Sequence, residues 1–425
     1  MRVKTLVLGS MVLGLVLAGC AGGATTELPA TSPPAEAAAT EAPTEAPPPA
    51  PETIKVGAVI PLTGAFAGGG AQVQRGYQLA VEAVNAAGGV YVEEYDTQIP
   101  LELIELDDAS DPNTTVSNLE TLNSEHEVVA YLGGFGSSLH AAAAAVAEAN
   151  QVPYLGVAFA LYSVHQQGNQ YLFSPFPKSP GLASATFDLL DSLPEDQRPS
   201  RIAILQESTD WGVEMATLWT DEAEARGYEI VAHEVYTPGS TDFTDSILTV
   251  QAADAQVLLA LPTPPDGTTI YRQMGELGYA PPLALLIRAP DAPTWRDLGT
   301  VGDYVLLSPG WHNAMDFPGV DELNAAHAEM MDRPADPIVG PAYAAVQILA
   351  DAIERAGTLD REAIREAIAA TDLDTVVGPV TFNPDGTGNV QVAILQYQEG
   401  VVQLIWPKDF ATADLVFPAP PYSER

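Results

Sequence analysis

The chain has 425 residues, with 17 Lys and Arg against 56 Asp and Glu, so its formal net charge is −39. Such an anionic surface repels nucleic acid and gains no attraction from an anionic membrane, which excludes both as charge-driven partners. The single Cys excludes an internal disulfide and any Cys-based metal cluster. With 47% hydrophobic residues, the chain can build cores for two or three domains.

The N-terminus has the pattern of an export signal. Arg2 and Lys4 precede an apolar run that ends at Leu17, which is too short to be a typical membrane span. The tetrapeptide Leu17-Ala18-Gly19-Cys20 resembles the lipobox of bacterial lipoproteins, in which the chain is cut before the Cys and the Cys is acylated. We therefore expect residues 1–19 to be removed and Cys20 to carry a lipid anchor. A simple secretory signal with an incidental Cys is the alternative.

Residues 20–53 are rich in Ala, Thr, Pro and Glu and contain few side chains that could be buried. Such a segment cannot offset its loss of chain entropy by packing, and Pro favours an extended backbone. The composition predicts a disordered, semi-rigid tether between a membrane anchor and a globular body.

The body begins at Ile54 with a set of alternating strands and helices. Ile54 to Ile60 is typical of a buried strand, and the helix after it places Val73, Tyr77 and Val81 on one face. Further strands are predicted over residues 101–106, 128–132 and 152–155, with helices over 112–124 and up to 150. Strands that alternate with helices indicate parallel pairing, with helices covering both faces of the sheet.

A second alternating set follows residues 173–177. Its predicted strands cover residues 201–206, 229–234, 255–261, 283–287 and 304–308, and its predicted helices cover 211–226, 242–251 and 270–277. Two helices, over 341–356 and 360–370, and two or three antiparallel strands within 380–406 complete the body. The fold class is therefore α/β, with two doubly wound lobes. Ligands of such sheets bind beyond the carboxyl ends of the strands, so the two lobes define a cleft.

A search for enzymatic chemistry finds no complete motif. There is no G-x-S-x-G, and the fragment Gly134-Phe135-Gly136 has Leu139 where a dinucleotide fingerprint needs a third Gly. Six scattered His residues lack zinc-site spacing, so no metal or cofactor is expected. Residues 383–389 imitate a calcium loop, but Gly386 falls at the fourth place and Ile394 at the twelfth, which favours a β-turn. The sequence therefore predicts a protein that is not an enzyme.

One loop has the features of a binding site for a small anion. Gly133 to Ser138 lie between a strand and the N-terminus of a helix, where free N–H groups and the helix dipole favour a carboxylate. Ser137 and Ser138 add hydroxyl donors. Capping of the helix by one of these serines is the alternative, and the sequence leaves both open.

The body as a whole, over residues 54–407, resembles the Leu/Ile/Val-binding family of solute-binding proteins, which supply ABC importers. The motifs that carry the resemblance are V-G-A-V-I-P-L-T-G at 56–64, A-A-G-G-V at 86–90, L-D-D-A-S-D-P at 106–112, D-W-G at 210–212, P-G-S-T-D-F at 238–243 and A-Y-A-A-V at 342–346. The resemblance implies the type I periplasmic-binding-protein fold, with crossovers near residues 173–178, 308–311 and 379–383. Lobe 1 would then comprise 54–175 with 311–379, and lobe 2 would comprise 176–310 with 380–407. Residues 408–425 would form a C-terminal tail.

The family's binding residues can be carried over only in part. In amino-acid-binding members, backbone amides and a Ser hold the ligand's carboxylate, and Gly136, Ser137 and Ser138 match that loop. The next loop, where a Thr is usual, is Ala158, Phe159 and Ala160, which offers backbone groups and an aromatic wall. Trp211 matches an aromatic that covers the pocket, and Phe66 is a further apolar candidate. Thr263 lies in a loop that is often polar or aromatic in the family.

The largest departure concerns the ligand's ammonium group. The resemblance implies an acidic residue after the strand at 283–287, but Arg288 stands there and Asp291 follows three residues later. An Arg suits a second carboxylate or another anion, whereas Asp291 could take the ammonium of an amino acid. An ion pair of Arg288 with Asp291 or Asp297 at the surface is the alternative.

These observations predict an extracytoplasmic, lipid-anchored and monomeric solute-binding protein that delivers a small organic ligand to an ABC permease. A branched-chain or related amino acid is the first ligand expected, and a small carboxylate or amide without an ammonium group is the second. A ligand-sensing module that acts on a partner receptor is a rival function for the same fold.

Overall fold

The computed structural model describes residues 48–425, so the predicted signal peptide, Cys20 and most of the predicted tether lie outside the described residues. The strands, in chain order, are β1 (Ile54–Ile60), β2 (Val90–Val92), β3 (Thr97–Ile99), β4 (Leu101–Asp107), β5 (Ala130–Leu132), β6 (Tyr154–Leu155), β7 (Leu172–Phe173), β8 (Arg201–Glu207), β9 (Glu229–Tyr236), β10 (Val257–Ala260), β11 (Leu283–Leu286), β12 (Val305–Leu307), β13 (Asp372–Thr375), β14 (Gly378–Thr381), β15 (Ile394–Gln398) and β16 (Val401–Trp406). The α-helices are α1 (Ala67–Ala86), α2 (Pro112–Ser124), α3 (Ser137–Asn150), α4 (Ser179–Asp191), α5 (Asp210–Arg226), α6 (Thr244–Ala252), α7 (Pro264–Glu276), α8 (Val320–Met331), α9 (Val339–Ala356) and α10 (Arg361–Ala369).

Two separate sheets organise the body. The first has the order β4-β1-β5-β6-β7, and all of its pairs are parallel. The second has the order β16-β15-β12-β11-β10-β8-β9, in which β15 and β16 are antiparallel additions to a parallel core. We call the sheets with their flanking helices the first and second lobes. The α/β fold class predicted from the sequence is confirmed.

The chain passes between the lobes more than once. It leaves the first sheet after β7, builds the second from β8 to β12, and then returns to the first lobe, where α9 packs along α1. Gly76 permits this close helix packing, because a Cβ at that position would lie 2.5 Å from the carbonyl oxygen of Val339. The chain ends by adding β15 and β16 to the second sheet.

The elements that were not predicted include α4, α8, β13 and the hairpin of β2 and β3. Helix α4 begins with Ser179, Pro180 and Gly181, residues that usually indicate a turn. Helix α7 begins at Pro264, several residues before the predicted start, because Thr263 caps it and Pro is favourable in the first turn. The β-turn predicted over residues 383–389 is present, with the N–H of Gly386 donating to the carbonyl of Asn383 at 2.9 Å.

Strand order determines where a ligand can enter. In the first sheet the order reverses between β1 and β5, and in the second between β8 and β10. The crevice of an open α/β sheet lies at the carboxyl ends of the strands on either side of such a reversal. The loops after β5, β8 and β11 are therefore the parts of the fold best placed to meet a ligand.

Candidate functional site

A narrow cavity lies between the two lobes at the carboxyl ends of their strands. Its walls are formed by Phe135, Gly136, Ser137, Ala158, Phe159, Ala160, Phe176, Leu182, Trp211, Ile287, Arg288, Asp291, Ser308, Pro309 and Ile338. The cavity has a volume of about 20 Å³. That volume suits about one water molecule, so the lobes meet closely in this structure.

The wall from the first lobe is built on the loop between β5 and α3. Gly136 is the residue before the helix, and its φ of 109° together with a ring carbon of Phe66 only 3.1 Å from where a Cβ would lie makes Gly necessary there. No side chain caps this helix, so neither serine has the capping role considered above. The first-turn N–H groups and the positive end of the helix dipole are therefore directed towards the cavity edge.

Ser137 contributes an unpaired hydroxyl to this wall. The residue is only 4% exposed, and its Oγ has no hydrogen-bond partner. A buried hydroxyl without a partner costs about 1–3 kcal/mol, a cost that a ligand oxygen can remove. The serine, unlike a helix cap, has its hydrogen-bonding capacity free.

The loop after β6 supplies an aromatic surface. Phe159 is buried, and the His140 ring stacks on it at a centroid distance of 4.3 Å. The Nζ atom of Lys178 lies 3.4 Å from the centroid of the same ring and donates to the carbonyl of Phe159 at 2.8 Å. Ala160 accepts from the N–H of Ser179 at 2.8 Å, which fixes the end of this loop. These contacts hold the aromatic wall in one position.

The wall from the second lobe includes Trp211, which lies in the first turn of α5. Thr209 caps this helix by accepting from the N–H of Gly212 at 3.1 Å. The indole Nε1 of Trp211 donates to Oγ of Ser179 at 3.0 Å, so the ring is fixed with its apolar surface against the cavity.

Arg288 is buried and its guanidinium is already bound by protein groups. It donates to a carboxylate oxygen of Glu207 at 2.6 Å and to the carbonyl of Pro262 at 3.1 Å. Its guanidinium carbon also lies 4.9 Å from the Trp211 ring and 5.4 Å from the Phe66 ring. The surface pair with Asp291 or Asp297 that the sequence left open is wrong, because the acidic partner is Glu207 and the residue is only 7% exposed.

Asp291, unlike Arg288, has a side-chain oxygen that no protein group binds. The residue is partly exposed, but its Oδ1 atom is buried and has no hydrogen-bond partner. Burial raises the pKa of this carboxyl well above its usual range, and the positive charge of Arg288 offsets only part of that rise. The backbone carbonyl of Asp291 accepts from the side-chain amide of Gln72 at 2.9 Å, which fixes the turn that carries the carboxyl.

Comparisons with known proteins identify the family. A sequence profile of the periplasmic binding protein family matches residues 53–401. The chain belongs to the periplasmic binding protein family. A Leu/Ile/Val-binding protein homologue from Brucella abortus is 26% identical over 385 residues, which cover 86% of this chain and 93% of that protein.

Solved structures show the same type I periplasmic binding fold. The leucine-binding protein LivK from Thermotoga maritima matches with a TM-score of 0.74 at 22% identity, over 84% of this chain and all of that one. A solute-binding protein of an ABC transporter from Rhodopseudomonas palustris, solved with benzoate, matches with a TM-score of 0.72 at 15% identity, over 86% and 98% of the two chains. Membership of the periplasmic binding protein family, together with the Leu/Ile/Val-binding homologue, makes the protein a binding protein and not an enzyme, as its sequence predicted.

The structure of this binding protein places most, though not all, of the predicted site residues on the cavity. Phe66 lies just behind the wall, where its ring contacts Arg288 and Phe135. Ser138 is exposed and outside the lining. Thr263 also lies outside the lining, with its hydroxyl accepting from the N–H of Asp266 at 3.4 Å as the cap of α7.

Seven lining residues of the binding protein were not predicted. They are Phe135, Phe176, Leu182, Ile287, Ser308, Pro309 and Ile338. Phe135 and Ile287 adjoin predicted site residues, and Phe176, Ser308 and Pro309 lie in the predicted crossovers, so proximity in sequence could have indicated them. Leu182 and Ile338 gave no such signal, because each approaches the cavity from a helix or helix end that is distant in sequence.

Neither a metal site nor a membrane-spanning helix is found in residues 48–425. No group of three or more His, Cys, Asp or Glu side chains is arranged to hold a metal ion. No helix in that part of the chain is both long and apolar enough to cross a membrane.

Proposed function

We propose that the protein is an extracytoplasmic solute-binding protein that delivers a branched-chain or related α-amino acid to an ABC importer. The observation that carries this proposal is a pair of unpaired polar groups on opposite walls of one apolar cavity. Oγ of Ser137 stands beside a helix N-terminus in the first lobe, and Oδ1 of Asp291 stands in the second. The two groups are complementary to the carboxylate and the ammonium of an amino acid.

The ligand's position follows from these two ends. The carboxylate would accept from Ser137 and from backbone N–H groups at the start of α3, and the ammonium would donate to Asp291. The apolar side chain would then lie among Phe135, Phe159 and Ile287, where burial of hydrocarbon is favourable. Bringing an ammonium beside Asp291 would also lower the raised pKa of that carboxyl, because the opposite charge favours its ionised form.

Entry requires the lobes to separate. Space for about one water cannot receive an amino acid, so binding would follow hinge opening and end with closure. The predicted lobe boundaries and crossovers are the parts of the chain that would support this motion.

A small aromatic carboxylate is the second candidate ligand. Four aromatic side chains line the cavity, namely Phe135, Phe159, Phe176 and Trp211, and one structural neighbour was solved with benzoate. Asp291 could serve such a ligand as well, because a carboxyl with a raised pKa can stay protonated and donate a hydrogen bond. Arg288 contributes less to this alternative than the sequence suggested, since Glu207 already neutralises it.

Delivery to a permease requires a location outside the cytoplasm. We propose that residues 1–19 are an export signal, that Cys20 is lipidated, and that residues 20–53 tether a monomeric body to the membrane. The wild-type protein should then incorporate a labelled fatty acid, and replacement of Cys20 by Ala should abolish this incorporation. Equal labelling of the two proteins, or no labelling of the wild type, would contradict the anchor but leave the binding site unaffected.

A thermal-shift panel tests the ligand class. Leucine, isoleucine and valine should raise the melting temperature by an amount that grows with the logarithm of their concentration above the dissociation constant, whereas their decarboxylated amines should not raise it. A shift with benzoate and none with the amino acids would instead select the second candidate. No shift with either class would contradict the proposed function, and a sensing role would be favoured if binding occurs but import does not depend on the protein.

A further inference from the structure

One side chain joins the two lobes at the edge of the cleft. The carboxylate of Glu214, on α5 of the second lobe, accepts from the backbone N–H of Tyr162 and from that of Ser163, each at 2.8 Å. These donors begin the 3-10 helix Tyr162–Gln167, which lies between β6 and β7 of the first lobe. The contact therefore joins a helix of the second lobe to the backbone of the first.

The chemistry of this contact makes it strong. Each carboxylate oxygen takes one N–H, so the pair is bidentate and charge-assisted. The first N–H groups of a helix have no partner within the helix, and both would lack a protein partner without Glu214. A side chain that satisfies two such groups at once favours the closed arrangement by more than a single neutral hydrogen bond does.

The donor segment is itself firmly held in place. The Tyr162 hydroxyl donates to Asp385 at 3.1 Å, and the His165 Nδ1 atom lies 2.9 Å from the carbonyl of Asp385. Asp385 lies in the turn after β14, close to a bridge between Ser174 and Thr387 that joins two connections between the lobes. Glu214 thus attaches α5 to a segment that is itself hydrogen-bonded to the turn beside these connections.

A second contact joins the lobes at Asp291, one of the cavity residues. Gln72, on α1 of the first lobe, donates its amide to the carbonyl of Asp291 at 2.9 Å and accepts from the N–H of Ile338 at 3.2 Å. Glu214 shares its helix with Trp211, three residues earlier, whereas Gln72 fixes the turn of Asp291. Each contact therefore holds one cavity residue of the second lobe against the first.

We propose that Glu214 and Gln72 form a two-point latch that holds the lobes closed over the ligand. Glu214 is the stronger point, because its bonds are charge-assisted, and it positions Trp211 over the cavity. Gln72 positions the Asp291 carboxyl. Both are positioning residues for ligand binding, and their main effect is on how slowly the ligand leaves. The role in ligand release rests on the proposed function, whereas the contact between the lobes does not.

The decisive variant is Glu214→Gln, which keeps the size of the side chain but can accept only one of the two N–H groups. With L-isoleucine as the probe, we expect a dissociation constant raised about tenfold, mainly through faster release. The matched control is Glu222→Gln on the same helix, which loses an ion pair with Arg226 within the second lobe and should change affinity less than about twofold. Gln72→Ala should show a smaller increase in release rate than Glu214→Gln.

The experiments distinguish a wrong ligand class from a wrong role for Glu214 and Gln72. If the wild-type protein does not bind L-isoleucine, the proposed ligand is wrong, and benzoate replaces it in the same titration. Independently of any ligand, amide hydrogen exchange at Tyr162 and Ser163 should be faster in Glu214→Gln than in Glu222→Gln. Equal exchange at these two amides, or an unchanged release rate in a folded Glu214→Gln protein, would overturn the latch. If that variant fails to fold, an unchanged release rate in Gln72→Ala would do the same.

Discussion

The two walls of the cavity differ in the polar groups that they leave free to bind a ligand. The first-lobe wall is neutral, with a helix N-terminus and the unpaired hydroxyl of Ser137. The second-lobe wall carries charge, but Arg288 is bound by Glu207, and only Asp291 has a carboxylate oxygen without a partner. A charged residue next to a cavity is therefore available to a ligand only when the protein leaves part of its hydrogen-bonding capacity unfilled.

Arg288 and Asp291 illustrate this rule within one turn of chain. From the sequence, Arg288 favours a ligand with a second carboxylate. In the structure, Glu207 compensates the charge of Arg288, whereas Oδ1 of Asp291 three residues later has no partner. This difference favours a ligand with an ammonium group. The following substitutions test this contrast between paired and unpaired groups, from the largest expected effect to the smallest.

Removal of the ion pair between Glu207 and Arg288 should cause the largest loss of stability. Glu207→Gln leaves the buried guanidinium of Arg288 without a negative partner, and we expect a loss of about 3 kcal/mol in the free energy of unfolding. Urea denaturation of the ligand-free protein measures this loss. The matched control is Glu229→Gln, whose carboxylate is 68% exposed and pairs with Arg201, so its loss should stay below about 1 kcal/mol. Equal losses for the two variants would show that Arg288 does not depend on Glu207.

Removing the unpaired charge should affect binding more than stability. Asp291→Asn takes away the partner of a ligand ammonium, and we expect the affinity for leucine to fall roughly a hundredfold, by the worth of a charged hydrogen bond. The affinity for benzoate should change little, because the side-chain amide of Asn can still donate a hydrogen bond to a carboxylate. Calorimetric titration of both ligands measures the difference. An unchanged affinity for leucine would place the ammonium elsewhere.

The same variant has a signature in its pH dependence without ligand. Because the pKa of Asp291 is raised in the folded protein, the unfolded chain releases that proton first as pH increases. The wild-type protein should therefore lose stability as pH rises above the usual range of an Asp, towards the raised folded pKa. Asp291→Asn lacks this loss, so its melting temperature relative to the wild type should increase with pH. A constant difference across pH would contradict the raised pKa.

On the neutral wall, Ser137→Ala should weaken a carboxylate ligand by about tenfold without lowering stability, because the hydroxyl has no partner in the protein. Ser138→Ala is the control, since that side chain is exposed and outside the cavity lining. Titration and thermal melting of both variants distinguish the two serines. Equal effects of the two substitutions on affinity would mean that Ser138 contacts the ligand as well.

Much of the fold follows from sequence patterns because its elements agree with local signals. The apolar run of β1 and the amphipathic face of α9 are predicted within a few residues of their observed bounds. Helix α4 is missed because Ser, Pro and Gly at its start are more common in turns, and only packing of Leu182, Phe187 and Leu190 into a core overrides that preference.

The site is less predictable, because a polar side chain is free to bind a ligand only if no residue distant in sequence already pairs with it. Nothing local to Arg288 indicates that Glu207, on a different strand, neutralises it. Ser137 and Ser138 look equivalent in the sequence, but the rotation of α3 buries one and exposes the other. Positions along the chain can indicate which loops reach the cavity, whereas the state of each polar group requires the three-dimensional arrangement.

Thr263 offers the smallest test, because its hydroxyl is paired and lies outside the cavity. Its Oγ1 accepts from the N–H of Asp266 at the start of α7, so Thr263→Ala should lower the free energy of unfolding by about 1 kcal/mol through loss of a cap. Affinity for leucine should be unchanged. Thr263→Ser, which keeps the hydroxyl, should restore most of the stability. A fall in affinity that Ser rescues, with stability unaffected in both variants, would instead mean that this hydroxyl contacts the ligand, and the distinction between paired and unpaired groups would fail at this position.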